Sequence, residues 1–189
     1  MTAAVDAARS LARQRLEETL PRRWQHVQAV AAKAEEAAGA VPPSDRETLI
    51  AAAWLHDVGY SPGLVDTGFH SLDGARWLRR QQVDERVTAL VAHHSCAWLE
   101  AEERGLGQAL REEFDREEGP VTDALCYADM TTGPDGQSFE VLERLAEIRS
   151  RYGPDHLVTR FIRRAEPEIV AAVRRTEQRL ATRSVAQPM

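Results

Sequence analysis

The sequence predicts an all-α fold, a helical bundle closed by an additional long C-terminal helix. Three observations carry this expectation. Apolar residues recur at three- and four-residue steps along most of the chain, the spacing of one helix face. No alternating apolar-polar stretch is long enough for a strand. Glycines and prolines gather between the periodic segments, at Gly39 to Pro43 and at Thr131 to Gly136. The 189 residues fit one domain spanning 1–189, with enough chain to bury a core without disulfide or metal staples.

The elements follow in order. Segments Ala4–Leu16 and Arg22–Ala37 are periodic, and Trp24, Val27, Val30 and Ala31 share a face. Pro21 stands where a helix can begin. Ser44 and Glu47 predict an N-cap with a capping box for a helix over Asp45–Asp57, which Gly59 would stop. Tyr60–Phe69, with Pro62, Gly63 and Gly68, predicts a loop. Further helices are expected over His70–Gln82, Asp84–Ser95 and Val121–Met130. The charged stretch Ala97–Gly119 predicts a short helix, a turn and a second helix, largely at the surface. Helices over Ser138–Arg151 and Pro154–Leu180 close the chain, and the tail 181–189 is expected to be disordered. The last helix carries Arg160, Arg163, Arg164, Arg174 and Arg175 with Glu166, Glu168 and Glu177, the pattern of an exposed helix with intrahelical pairs.

Composition narrows the function. The net charge of -6 argues against an extended nucleic-acid footprint, while leaving room for a local basic pocket. Lys33 is the only lysine, so arginine carries nearly all the positive charge. Cys96 and Cys126 form neither a metal motif nor a disulfide framework, and a reducing cytoplasm is expected. Asp6, Arg9 and Arg13 interrupt the N-terminus, which therefore lacks a signal-peptide core, and no apolar run would span a bilayer.

The histidines are the informative residues. His26 lies mid-helix, His56-Asp57 ends an apolar helix, His70 opens one, and His93-His94 lies near the end of another. Asp129 ends the apolar run Ala124-Leu125-Cys126-Tyr127-Ala128. A lone histidine on an apolar face is more often a hydrogen-bonded core residue than a ligand, and a lone aspartate can cap a turn. Five histidines and two aspartates in such places are a different matter. Buried unpaired aspartates are costly and call for a cation, and bundles build metal sites from facing helices. His156, after Gly153-Pro154-Asp155, is expected to be a surface or capping neighbour. Cys126, one helical turn before Asp129, is expected to line the site.

The order His26, then His56-Asp57, then Asp129 resembles the pattern of the HD-domain superfamily over roughly residues 20–135, leaving 137–180 as a C-terminal helical extension. The apolar run before the doublet, the glycine two residues after it and the Ala-Asp ending match as well. The resemblance implies an all-α HD-domain bundle, a divalent metal held by His26, His56, Asp57 and Asp129, and phosphohydrolase activity. Some branches hold two metals. There the resemblance implies that Asp57 bridges them and that His70 with one or both of His93 and His94 serves the second. Tyr60 stands where branches with signalling-nucleotide substrates carry a lysine, and the Gly-Tyr-Pro signature of cyclic-dinucleotide phosphodiesterases is absent, which argues against cyclic-dinucleotide cleavage.

The expected activity is hydrolysis of a small phosphate ester or nucleotide by a metal-activated water, with Asp57 at the catalytic centre. Imidazole with carboxylate favours Mn, Fe, Co, Ni or Zn over Mg, with one or two ions bound. Arg22, Arg23 and Arg76 are candidates to steady the phosphate. Asp73, three residues after His70, is a candidate proton shuttle. Two rival readings remain at this stage: an HD-type di-iron oxygenase that cleaves a carbon bond, and a non-catalytic metal-stabilised domain that binds a ligand or partner. The Ala97–Gly119 stretch and the last helix offer surfaces for a partner or a homodimer.

Overall fold

Helical periodicity translates directly into helices. The structure is a computed structural model and describes residues 2–186. Among them are α1 (Ala3–Leu16), α2 (Pro21–Ala37), α3 (Arg46–Leu55), α4 (His70–Arg80), α5 (Glu85–His93), α6 (Ala97–Glu103), α7 (Gly107–Glu113), α8 (Pro120–Met130), α9 (Val141–Tyr152) and α10 (Leu157–Ala186). Short 3-10 turns join several of them. Among the described residues the only β-type pairing is an isolated bridge between Thr132 and Ser138. No described helix is long and apolar enough to cross a membrane.

Three apolar clusters hold the helices together. The largest joins α1, α2, α3, α5 and α8 through Leu16, Val27, Val30, Leu49, Leu55, Val91 and Leu125. Alanines such as Ala12, Ala31, Ala34 and Ala52 lie among these residues, and such small side chains let helix axes come close. A second cluster seats α9 and α10 on α8 through Met130, Leu145, Ile148, Phe161, Ile162 and Ile169. A third joins α4 to α7 through Phe69, Leu72, Leu110 and Phe114. Each large side chain so buried contributes roughly 1.5–3 kcal/mol. The charged 97–119 stretch is therefore less superficial than expected, because Leu110 and Phe114 are core residues.

Several expected boundaries move for local reasons. The capping box at Ser44 does not form. Pro42-Pro43 directs a 3-10 turn over Pro43–Asp45, so the backbone is already helical at Asp45 and α3 has no side-chain cap. The capping box instead stands at α9, where Glu140 and Glu143 exchange bonds. Helix α5 stops at His93 rather than Ser95, because Ser95 (φ 48°) and Cys96 (φ 62°) take left-handed conformations. Helix α10 runs past Leu180 to Ala186, which corrects the expected disorder over 181–186; residues 187–189 lie outside the described residues.

Nor is α10 an exposed helix stabilised by intrahelical pairs. Phe161, Ile162, Ala165, Ile169, Ala172, Val173 and Thr176 form a buried stripe. Its arginines mostly bond other helices. Arg164 pairs with Glu102 and Glu103, and Arg175 and Arg179 grip the buried carboxylate of Asp123.

One crossing matters most for the site. After α3 the chain turns through a 3-10 segment, Val58–Tyr60, that presses on the first turn of α4. A Cβ on Gly59 would stand 1.9 Å from the His70 carbonyl oxygen and 2.7 Å from the Gly74 nitrogen, and one on Gly74 would stand 3.0 Å from the Gly59 nitrogen. Gly59 is thus not merely a helix stop; two facing glycines let the His-Asp doublet lie against the start of α4. Gly59→Ala should lower stability by about 2 kcal/mol or more in urea denaturation, because backbone must move. Gly63→Ala, with nothing within 4 Å, should shift the midpoint by less than ~0.5 kcal/mol.

Candidate metal centre

Six side chains from five stretches of chain converge between α2, α3, α4, α5 and α8. His26 comes from the middle of α2, and His56 and Asp57 from the turn after α3. His70 opens α4, His94 follows α5, and Asp129 lies in the last turn of α8. His26, His56, Asp57, His94 and Asp129 are buried, and His70 is only slightly exposed.

Three of the imidazoles are held in the same way. The Nδ1 of His26 lies 2.9 Å from the Gly133 carbonyl, that of His56 2.8 Å from the Ala53 carbonyl, and that of His94 2.6 Å from the Val91 carbonyl. A carbonyl can only accept, so each Nδ1 carries a proton, and in the neutral ring that coordinates a metal Nε2 is then the atom that offers a lone pair. Every one of these Nε2 atoms faces the centre. A backbone carbonyl behind the imidazole is the usual support of a metal-binding histidine.

The six side chains divide into two sets of three, His26, His56 and Asp129 in one and Asp57, His70 and His94 in the other, with the ligand atoms of each set within 4.8 Å of one another. Asp57 links the sets. Its Oδ2 lies 3.6 Å from His26 Nε2 and 3.3 Å from His56 Nε2, while its Oδ1 lies 3.5 Å from His70 Nε2 and 3.9 Å from His94 Nε2. Asp129 Oδ1 lies 3.2 Å from His26 Nε2, and the Nε2 atoms of His70 and His94 are 3.3 Å apart. Ligands held at about 2.0–2.2 Å around one tetrahedral ion stand about 3–4 Å from each other. The residues present therefore fit two ions that share one carboxylate.

The electrostatics point the same way. Burial alone would raise the Asp57 carboxyl, but Arg23 and His56 hold it well below the usual range. Burial would likewise raise Asp129, and His26 and His56 hold it down. Burial opposes a charge on His56, yet the two carboxylates lift it to about 9. Burial pushes His70 and His94 down, leaving them neutral and able to coordinate. Two buried anions thus stand in a pocket of nitrogen donors, and His56 Nε2 has no hydrogen-bond partner among the described residues.

Neighbours fix this arrangement. Arg23 Nη1 donates to Asp57 Oδ2 at 2.6 Å, and its guanidinium lies 4.1 Å above the Tyr60 ring. Tyr60 in turn stacks on His70, with centroids 4.0 Å apart. Tyr60 therefore props a ring of the centre. The Ser95 hydroxyl donates to Asp129 Oδ2 at 2.5 Å, and the left-handed turn at Ser95 and Cys96 lets it do so.

The centre forms one end of a cavity of about 200 Å³. Beyond the metal-facing residues, Glu100, Arg104, Arg144, Ile148, Arg151, Tyr152, His156, Phe161 and Ile162 line it. Composition gave no sign of most of these. Arg144 had a signal, since it falls on the apolar stripe of Val141, Leu145 and Ile148. Ser95 had none. His156 does cap α10, accepting from the Val158 N–H, and it also reaches the cavity.

Five expected placements are corrected. The Asp73 carboxylate accepts from the backbone of Asp66, Thr67 and Gly68 and from the Thr67 hydroxyl, so it ties down the loop before His70 and has no lone pair free for a shuttle. Arg22 is exposed and held by Asp135. Arg76 is held by Glu113 and Asp66. His93, about 100° around the helix from His94, points away and donates its Nε2–H to the Phe114 carbonyl at 2.9 Å. It is buried there rather than solvated. Cys126 lines a separate cavity of about 720 Å³ with His93 and Cys96, on the far side of the 93–96 segment.

Comparison with known families gives one match. The model described as HD domain covers residues 23–131, more than half of the chain, and ends two residues after Asp129. No curated protein matches the chain, and no solved structure does.

Elemental analysis of protein reloaded with manganese, iron or cobalt should find two ions per chain. His94→Ala should leave one and Asp57→Ala neither. His93→Ala should keep both while losing about 1–3 kcal/mol of stability, from the orphaned Phe114 carbonyl and the space left behind.

Proposed function

The chain belongs to the HD-domain family, and on that premise we propose that it is a metal-dependent phosphohydrolase acting on a small phosphate ester or nucleotide. In this reading His26, His56 and Asp129 with Asp57 would hold one ion, and His70 and His94 with Asp57 would hold the other. Divalent transition ions there supply Lewis acidity toward a phosphoryl oxygen and acidify water, so that hydroxide is available near neutral pH.

The chain's own residues do the rest. Backbone carbonyls behind His26, His56 and His94 keep three Nε2 atoms aimed at the centre. Arg23, the one expected phosphate-binding arginine that lines the cavity, orients Asp57 and lies within reach of a phosphoryl group at the same ions. Tyr60 keeps His70 in plane. The reaction adds the oxygen of water to phosphorus and breaks the P–O ester bond; the alcohol leaves with one of the protons of that water, and phosphate keeps the other until it ionises.

The observation that carries the reading is a carboxylate split between two imidazole sets at the end of a cationic cavity. The protein as a whole has net charge -6, yet four arginines and only three carboxylates line this cavity, before any metal is counted. Such a field attracts anions. A volume of about 200 Å³ favours a small ester or a mononucleotide over an extended dinucleotide.

The test is phosphate release from a panel of phosphomonoesters and nucleotides, with metals added singly. At least one ester should turn over, and Asp57→Asn should cut the rate at least about a hundredfold, more than loss of an outer partner of a ligand would. Oxygen consumption without phosphate release would instead establish the oxygenase alternative. Bound metal with neither activity would leave a ligand-binding domain.

A further inference from the structure

Resting on the hydrolase reading, we propose that the substrate carries a second oxyanion group, away from the scissile phosphate, and that α9 supplies the subsite for it through Arg144 and Arg151. Arg144 is buried, with 5% of its surface exposed, and it lines the metal cavity. A guanidinium in such a place loses most of its hydration and needs acceptors. Glu147 takes a bond from Nη1. The buried Nε has no partner among the described residues.

The same Glu147 also pairs with Arg151, whose Nε lies 3.4 Å from Oε1. One carboxylate thus serves two guanidinium groups, and this wall keeps a positive surplus. The cavity's carboxylate outside the metal centre, Glu100, is already gripped by Arg104, with bonds of 2.6 and 2.8 Å. It neither neutralises the α9 arginines nor leaves a bare anion to repel a ligand. Ile148, Phe161 and Ile162 line the same cavity and offer an apolar surface to the rest of a small molecule. A planar fork with an unused donor matches a carboxylate or phosphate, and a neutral end group would leave it desolvated and empty. Arg144 and Arg151 lie beyond residue 131, outside the matched family segment, so this wall belongs to the C-terminal helices.

Matched probes test the proposal on the metal-loaded full chain. 4-Carboxyphenyl phosphate and benzene-1,4-diyl bisphosphate are compared with phenyl phosphate, and the corresponding phosphonates are compared by calorimetry, which needs no turnover. The wild type should prefer the probe with a distal anion by at least about tenfold in kcat/KM and in affinity. The better of the two anionic probes identifies the group as carboxylate or phosphate. Arg144→Gln should reduce the preference to less than about threefold, and Arg151→Gln should reduce it part of the way. Arg144→Lys, which keeps the charge and loses the fork, should fall between.

Equal treatment of the matched probes by the wild type would overturn the proposal. A preference that survives in folded Arg144→Gln would do the same. If Arg144→Gln does not fold, as judged by circular dichroism, Arg151→Gln decides, and an unchanged preference there counts against the subsite. If no ester is hydrolysed while the phosphonates keep their ranking, the hydrolase reading fails and the subsite stands.

Discussion

The structure depends on a carboxylate that cannot stand alone. Asp57 is almost completely buried, and its two oxygens look in opposite directions toward different imidazoles. An isolated anion in such a place would be driven to take up a proton, at a cost of several kcal/mol. Arg23 and His56 keep it ionised in the protein alone, and the geometry leaves room for stronger cations. Each surrounding element meets this demand. The glycine crossing brings α4 and His70 beside one oxygen. The turn after α5 brings His94 to the same side, and α2 and α8 bring His26 and Asp129 to the other.

Arginine divides into two populations. Arg160, Arg164, Arg175 and Arg179 on α10, and Arg22, Arg76 and Arg86 elsewhere, bind acidic residues on neighbouring elements, as pairs that contribute about 0–1 kcal/mol each where exposed. They suture helices and are not available to a ligand. Arg23, Arg104, Arg144 and Arg151 differ because they border the cavity. The acidic balance of the chain thus describes its outer surface, whereas the chemistry concerns an interior whose sign is reversed.

Much of this could be read from the residues. The helical period located the helices, because a face buried every three or four residues leaves its mark in composition. His26, His56, Asp57 and Asp129 stood out because polar groups on apolar helix faces need a reason. Adjacent positions were harder. His93 and His94 are chemically identical, and only the point at which α5 stops decides which one faces Asp57. That point is set by left-handed backbone at Ser95 and Cys96, residue types that carry no glycine-like signal. Asp73 and Arg76 were misjudged for a related reason: position on a helix gives direction, but a loop or a distant helix can supply a nearer partner. The wall formed by α9 is only partly legible: Arg144 stands on an apolar stripe, but what that stripe faces depends on how two late helices fold back over α8.

That folding back divides the lining of the cavity between two stretches of the sequence. Residues 26–129 provide the ion-facing end, where almost any change disturbs the buried charges. Residues 144–162 provide further lining and include neither the six converging side chains nor the carbonyls of Gly133, Ala53 and Val91 that anchor three of them. The late helices can therefore vary, and with them what the cavity admits, while the six converging side chains stay as they are.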